Sequence, residues 1–150
     1  MSARIPRVRW IAVVILFAAG CGDSTNPPAP ADCASVADPN LPSTVSYQSD
    51  IVPLLTSKYG CTAIGCHGSS LPGSAYSLAS YSGLFIAGPQ AAEKGMCSVR
   101  PGAPDESYLV WKTEGRQGIL GDRMPDNATA MTAEDLATIR QWILEGAKNN

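Results

Sequence analysis

Histidine is almost missing from this chain: His67 is the only one among 150 residues. A single imidazole excludes a zinc site of two cysteines and two histidines. It equally excludes ligation of one metal by two histidines of the same chain. Aromatic residues make up only 7% of the chain, with two phenylalanines. No apolar run approaches the roughly 20 residues that a membrane-spanning helix needs; the longest is residues 10–19. A basic stripe is also lacking, which makes nucleic acid an unsuitable partner. Of 11 basic residues, Arg4, Arg7 and Arg9 fall in the first ten positions. The eight that remain stand against 13 acidic residues, so the chain beyond that point carries a net charge of −5. Such a charge bears on encounter partners and solubility, not on fold. Strand-like alternation and internal repeats are absent as well.

What is present divides into three parts. In residues 1–20, three arginines precede the short apolar run from Trp10 to Ala19, the pattern of an export signal peptide. The next residues, Phe17-Ala18-Ala19-Gly20-Cys21, resemble the lipobox of bacterial lipoproteins, with Ala18 where leucine is commoner. That resemblance implies a diacylglycerol on the Cys21 thiol and places the mature protein in the cell envelope, on the periplasmic side or in the outer membrane. An ordinary secretory signal with a cysteine beside it is the plainer alternative. Residues 21–45 hold Pro27, Pro28 and Pro30 and little apolar surface, and read as a flexible tether. Residues 46–150 have the composition of one globular domain.

Within that domain, Tyr47, Ile51, Leu54 and Leu55 share one helical face. Ser49 or Asp50 is placed to cap this helix, with Pro53 in its first turn and Gly60 at its end. Residues 68–103 read as loop with short helical pieces. Pro104-Asp105-Glu106 opens a helix through Lys112 that stops at Gly115. Residues 116–131 read as loop. Thr132-Ala133-Glu134-Asp135 resembles a capping box and begins a last helix burying Leu136, Ile139, Ile143 and Ala147, with Trp142 at the border. The expected fold is mostly α: a small domain of three to four helices with long loops. Irregular stretches this long are unusual in a compact domain, unless a large apolar cofactor fills the middle.

Cys61-Thr62-Ala63-Ile64-Gly65-Cys66-His67-Gly68 is the chief chemical signal. Two thiols can add to the two vinyl groups of haem, giving thioethers, and the adjacent histidine then reaches iron. The usual spacing is C-x-x-C-H; here four residues separate the cysteines. The extra residues must bulge outward, and Gly65 eases that bend. A Cys61–Cys66 disulfide with His67 exposed is the alternative, permitted in an exported protein. A zinc site of three cysteines and His67 would also need Cys33 or Cys97. Further along, Gly121-Asp122-Arg123-Met124-Pro125 sets a methionine in a polar loop, 57 residues after His67. Proline drives the residue before it out of helical geometry, which lets the thioether project. Met131 and Met96 are the other candidates.

This order of parts resembles class I cytochromes c: a first helix, a Cys-Cys-His motif, loops, a methionine ligand and a final helix. It looks closest to the monohaem domains of exported bacterial lipoproteins, through CHG, PGAPDESYLV, RMP and WILEGA, over residues 46–148. The resemblance implies one haem c on Cys61 and Cys66, with His67 as proximal and Met124 as distal iron ligand. That pair keeps iron low-spin and raises its potential relative to two histidines. It further implies one-electron transfer with redox proteins of the envelope, the membrane being reached through the lipid, and no enzymatic turnover. His67 is expected to donate its other ring N–H to a carbonyl of the following loop, Pro72 being one candidate. Arg123 either meets a haem propionate or is solvated; Tyr108 and Trp111 either wall the haem or pack in the core. With Cys21, Cys61 and Cys66 assigned, Cys33 and Cys97 remain, and an even remainder suggests a disulfide; free thiols or pairing with another chain are the alternatives. A haem-free, disulfide-stabilised envelope lipoprotein acting as a binding module is the second functional expectation. A haem-based gas sensor, in which Met124 dissociates, is the third.

Overall fold

The computed structural model describes residues 33, 40–68, 76–126 and 128–150. The leader, Cys21, Pro72 and most of the expected tether lie outside the described residues. No described helix is long and apolar enough to cross a membrane. The described chain is mostly helical, with four helices. They are α1 (Tyr47–Ile51 continuing through Leu54–Lys58), α2 (Pro89–Glu93), α3 (Tyr108–Glu114) and α4 (Ala133–Leu144). Tight turns at Ser82–Phe85 and Pro104–Glu106 fill part of the connections. No strand forms among the described residues; Cys97 and Ser107 make one isolated parallel bridge.

α1 begins before the expected cap. Ser46 is the N-cap, its hydroxyl accepting from the Ser49 N–H, while Asp50 Oδ2 accepts from the Ser46 N–H at 2.7 Å. Pro53 therefore sits in the middle of the helix instead of its first turn. It offers no N–H, and its ring crowds the carbonyl one turn back. The helix answers by widening to five-residue spacing on either side: Ile51 N–H to Ser46 O at 3.2 Å, and Tyr59 N–H to Leu54 O at 3.1 Å. Such bulges are a known response to an interrupted bond ladder. Two further amides at this helix start are held by Asn150, whose Oδ1 accepts from the Tyr47 N–H at 2.9 Å and whose carbonyl accepts from the Gln48 N–H at 3.0 Å.

The helix expected from Pro104 is broken at Ser107, which is extended, with φ −99° and ψ 117°. Its buried hydroxyl accepts from the Arg100 N–H at 2.8 Å and donates to the Ala103 carbonyl at 3.0 Å. A side chain committed to the preceding loop cannot also continue a helix. α3 then ends at Gly115, as anticipated, in the left-handed conformation.

α4 packs against both α1 and α3. Ile139 and Ile143 are buried, as is Ala147 just past the helix, while Leu136 is half-buried. Trp142 lies at the centre, not at the border: it is 0% exposed and stacked on Tyr47 with ring centroids 5.7 Å apart. Its indole N–H donates to Lys148 O at 3.0 Å, which satisfies the one polar atom that burial would otherwise strand. Residues ahead of α1 also meet the end of the chain: the Thr44 and Val45 amides donate to Glu145 at 2.9 and 3.0 Å, and the Lys148 ammonium donates to the Leu41 carbonyl.

Candidate cofactor site

Five segments meet around a cavity of about 610 Å³. The end of α1 supplies Leu55 and Tyr59; α2 supplies Gln90 and Ala91; α3 supplies Tyr108, Leu109, Lys112 and Thr113. The remaining wall comes from the cysteine motif with the returning segment at Tyr76 and Leu78, and from the loop with Met124, Pro125 and Met131. Cys61, Cys66, His67 and Met124 all line this one space. Its size falls in the range of pockets that enclose most of a ligand's surface.

The motif folds as a closed loop. Ala63 N–H bonds to Gly60 O at 3.0 Å, Cys66 N–H to Ala63 O at 3.0 Å, and His67 N–H to Cys61 O at 2.8 Å. The last bond spans the four intervening residues and brings His67 back beside Cys61. Those residues bulge outward: Ile64 is 100% exposed and Gly65 takes φ +89°, where side chains with a β-carbon are strained. Gly68 is needed for a different reason. A β-carbon there would stand 2.6 Å from Thr62 O.

Cys61 and Cys66 are both free thiols, the first half-buried and the second exposed. Burial, above all, pushes the Cys61 thiol up to about 11; its own backbone N–H opposes the rise and Cys66 adds to it. Cys61 is therefore protonated at neutral pH. Cys33 and Cys97 form a disulfide. That pairing leaves neither of them for a three-cysteine zinc site, and among the described residues no group of three or more His, Cys, Asp or Glu is placed to hold a metal ion by itself.

His67 Nδ1 lies 3.4 Å from the Tyr76 carbonyl, a long contact that still orients the ring and leaves Nε2 as the nitrogen open to a metal. Tyr76 was not anticipated in this role. Two backbone bonds hold the pair in register: His67 N–H to Cys61 O, and Leu78 N–H to His67 O at 2.8 Å. Burial raises the Tyr76 phenol well above its ordinary range.

Met124 is half-buried, and its N–H donates to Lys112 O at 2.8 Å. Met131 also lines the cavity but is packed into the core at 5% exposure. Met96 is not among the lining residues. Tyr108 walls the cavity and its hydroxyl accepts from the Leu120 N–H at 2.8 Å. Trp111 does not reach it: its indole donates to Asp105 O at 2.7 Å and its ring packs near Arg116. Arg123 is likewise outside the lining; its stem lies over Gly115, where a β-carbon would come within 2.7 Å of it. Lys112, which the sequence pattern marks only as part of a helix end, is a buried member of the wall.

No family model, curated protein or solved structure matches the chain. The chemistry of the donor set is therefore the test of fit. Two unpaired thiols, an imidazole with one nitrogen oriented by a carbonyl, and a thioether from a distant loop border a single largely apolar space. Groups of these types attach and ligate a haem of the c type.

Proposed function

We propose that this protein is an exported one-electron carrier that would hold one haem c through Cys61 and Cys66, with His67 and Met124 as the iron ligands. The observation that carries this reading is that all four side chains, from segments 57 residues apart, border the same cavity. The haem, when bound, supplies a reversible ferric/ferrous couple. The chain's own part is positional. Tyr76 O orients His67. Leu55, Leu78 and Leu109 line the space with apolar surface, which keeps water out and favours a raised potential. With Met124 as well as His67 committed to iron, no position is left for a substrate, so the protein passes electrons and does not turn over a reactant. Cys21 would carry the lipid that keeps the domain at the envelope membrane, where redox proteins are its partners.

Production in a periplasm equipped for c-type haem maturation tests this. Denatured protein should keep its haem, and Cys61→Ala plus Cys66→Ala together should release it. A colourless wild-type product would favour instead the haem-free binding module, for which the apolar cavity and the Cys33–Cys97 cross-link suffice.

A further inference from the structure

Residues 116–131 are a long connection with glycine at 118 and 121, and no helix forms among its described residues. A segment of this kind needs outside contacts to hold one position. Lys112 supplies three of them. Its ammonium donates to Leu120 O at 2.8 Å and to Asp122 O at 2.5 Å, and its backbone carbonyl accepts from the Met124 N–H at 2.8 Å. Tyr108, one turn earlier on the same face of α3, accepts from the Leu120 N–H. Lys112 as a residue is 7% exposed. A buried ammonium is costly unless its protons are taken up, and carbonyls of this loop take up two of its three. The cost of burial thus becomes a constraint on where the loop lies.

We propose that Lys112 is the positioning residue for Met124: its ammonium gathers the Leu120 and Asp122 carbonyls so that the loop presents the thioether to the haem iron. The inference rests on the haem reading above. It has a functional consequence. A loop held this way keeps the distal position closed; a loop released from Lys112 opens it to small external ligands.

The experiment compares full-length, haem-loaded wild type with Lys112→Leu, which keeps apolar bulk, loses every side-chain donor and adds no sulfur to the cavity, and with Lys112→Arg. Both readouts are expressed per covalently bound haem. In Lys112→Leu the thioether-to-iron charge-transfer band should weaken severely. Affinity for added imidazole should rise about ten-fold, because the ligand no longer waits for a rare open state. Lys112→Arg, which retains donors, should recover part of the band. An unchanged band and imidazole affinity in Lys112→Leu overturns the proposal. Should Lys112→Leu not accumulate, Lys112→Ala carries the same comparison. Amide exchange in the haem-free protein separates this inference from the haem reading. Fast exchange at Met124 in the variant, with α4 unaltered, supports the positioning role even if wild type holds no haem. Equal exchange at Met124 refutes it.

Discussion

The amide of His67 bonds to the carbonyl of Cys61 at 2.8 Å, and this bond lets a motif with four intervening residues present its cysteines and histidine to one cavity. The extra residues leave as an outward bulge at Ile64 and Gly65. Gly68, the residue after His67, closes the loop against Thr62 O, with no room for a methyl group. Gly68→Ala must displace backbone, not a flexible side chain. The expected result is a several-fold fall in covalently bound haem per protein, read from absorbance after denaturation. The variant's helix content should stay near wild type by circular dichroism, since α1, α3 and α4 do not depend on that turn. Haem content equal to wild type would mean that the loop closure is not what aligns the motif.

The sequence made the two ends of the domain readable and left its middle obscure. α4 was visible because Ile139 and Ile143 repeat at helical spacing behind a threonine cap, and Gly115 was visible as a stop because only glycine is at ease in that conformation. The capping box took an altered form. Thr132 Oγ accepts from the Asp135 N–H, but the Thr132 amide goes to Tyr59 OH at 3.0 Å. Asp135 is thereby freed to receive Lys58 and the Tyr59 hydroxyl. That is a tertiary substitution no local pattern records. The same holds at Ser107, where a hydroxyl serving the Arg100 loop overrode a good helix start, and at Lys112, whose partners lie 8 and 10 residues away in a loop. The thiols, His67 and Met124 could be singled out because their side-chain chemistry belongs to few residue types; that they border one cavity is a tertiary fact. Tyr76 could not, because its contribution is a backbone carbonyl that any residue could supply.

Acid should weaken the domain through two carboxylates. Asp135 is held at about 2, first by the Lys58 ammonium, then by Tyr59 and Thr132. Burial works to raise Glu145, but the Thr44 hydroxyl, Gln141 and the Val45 and Thr44 amides outweigh it and bring it to about 2. Both values lie below those of the unfolded chain, so the unfolded state binds more protons in acid. Their stabilisation is complete above the ordinary carboxylate range, near pH 4 to 5, and is lost as pH falls toward 2. The denaturant midpoint should be flat from pH 7 to 5 and drop steeply below pH 4. Glu145→Gln should lower the midpoint at pH 7 and flatten the acid limb. A limb of unchanged steepness would remove Glu145 from the account.

Trp142 joins α4 to α1 through its ring, stacked on Tyr47, and holds the end of the chain through its indole N–H on Lys148 O. Truncation to alanine leaves a cavity in a close-packed centre and removes the indole donor from the Lys148 carbonyl. Losses of about 3–5 kcal/mol are typical of such deletions, which is a large share of the stability of a domain this size. Chemical denaturation of Trp142→Ala should show it. Trp142→Phe, which keeps the ring and loses only the N–H, should cost much less. Near-equal losses would assign the effect to the hydrogen bond instead of packing.

The disulfide between Cys33 and Cys97 ties the chain ahead of the domain to the loop that leads into α3. Cys97 O accepts from the Tyr108 N–H at 2.8 Å, so the cross-link also braces the start of the helix that carries Tyr108 and Lys112. Its two sulfurs are 64 residues apart in sequence, and closing a loop of that length restricts the unfolded chain by about 2–4 kcal/mol. Replacing both cysteines by serine avoids a stray thiol able to react with haem in place of Cys61 or Cys66. The double variant should lose stability of that order in denaturant melts while retaining covalent haem and the methionine charge-transfer band. The contrast matters because a cross-link that acts on the unfolded state shifts stability and leaves the site alone. Loss of the band at full haem occupancy would instead show that the disulfide, through Tyr108, holds the cavity wall in place.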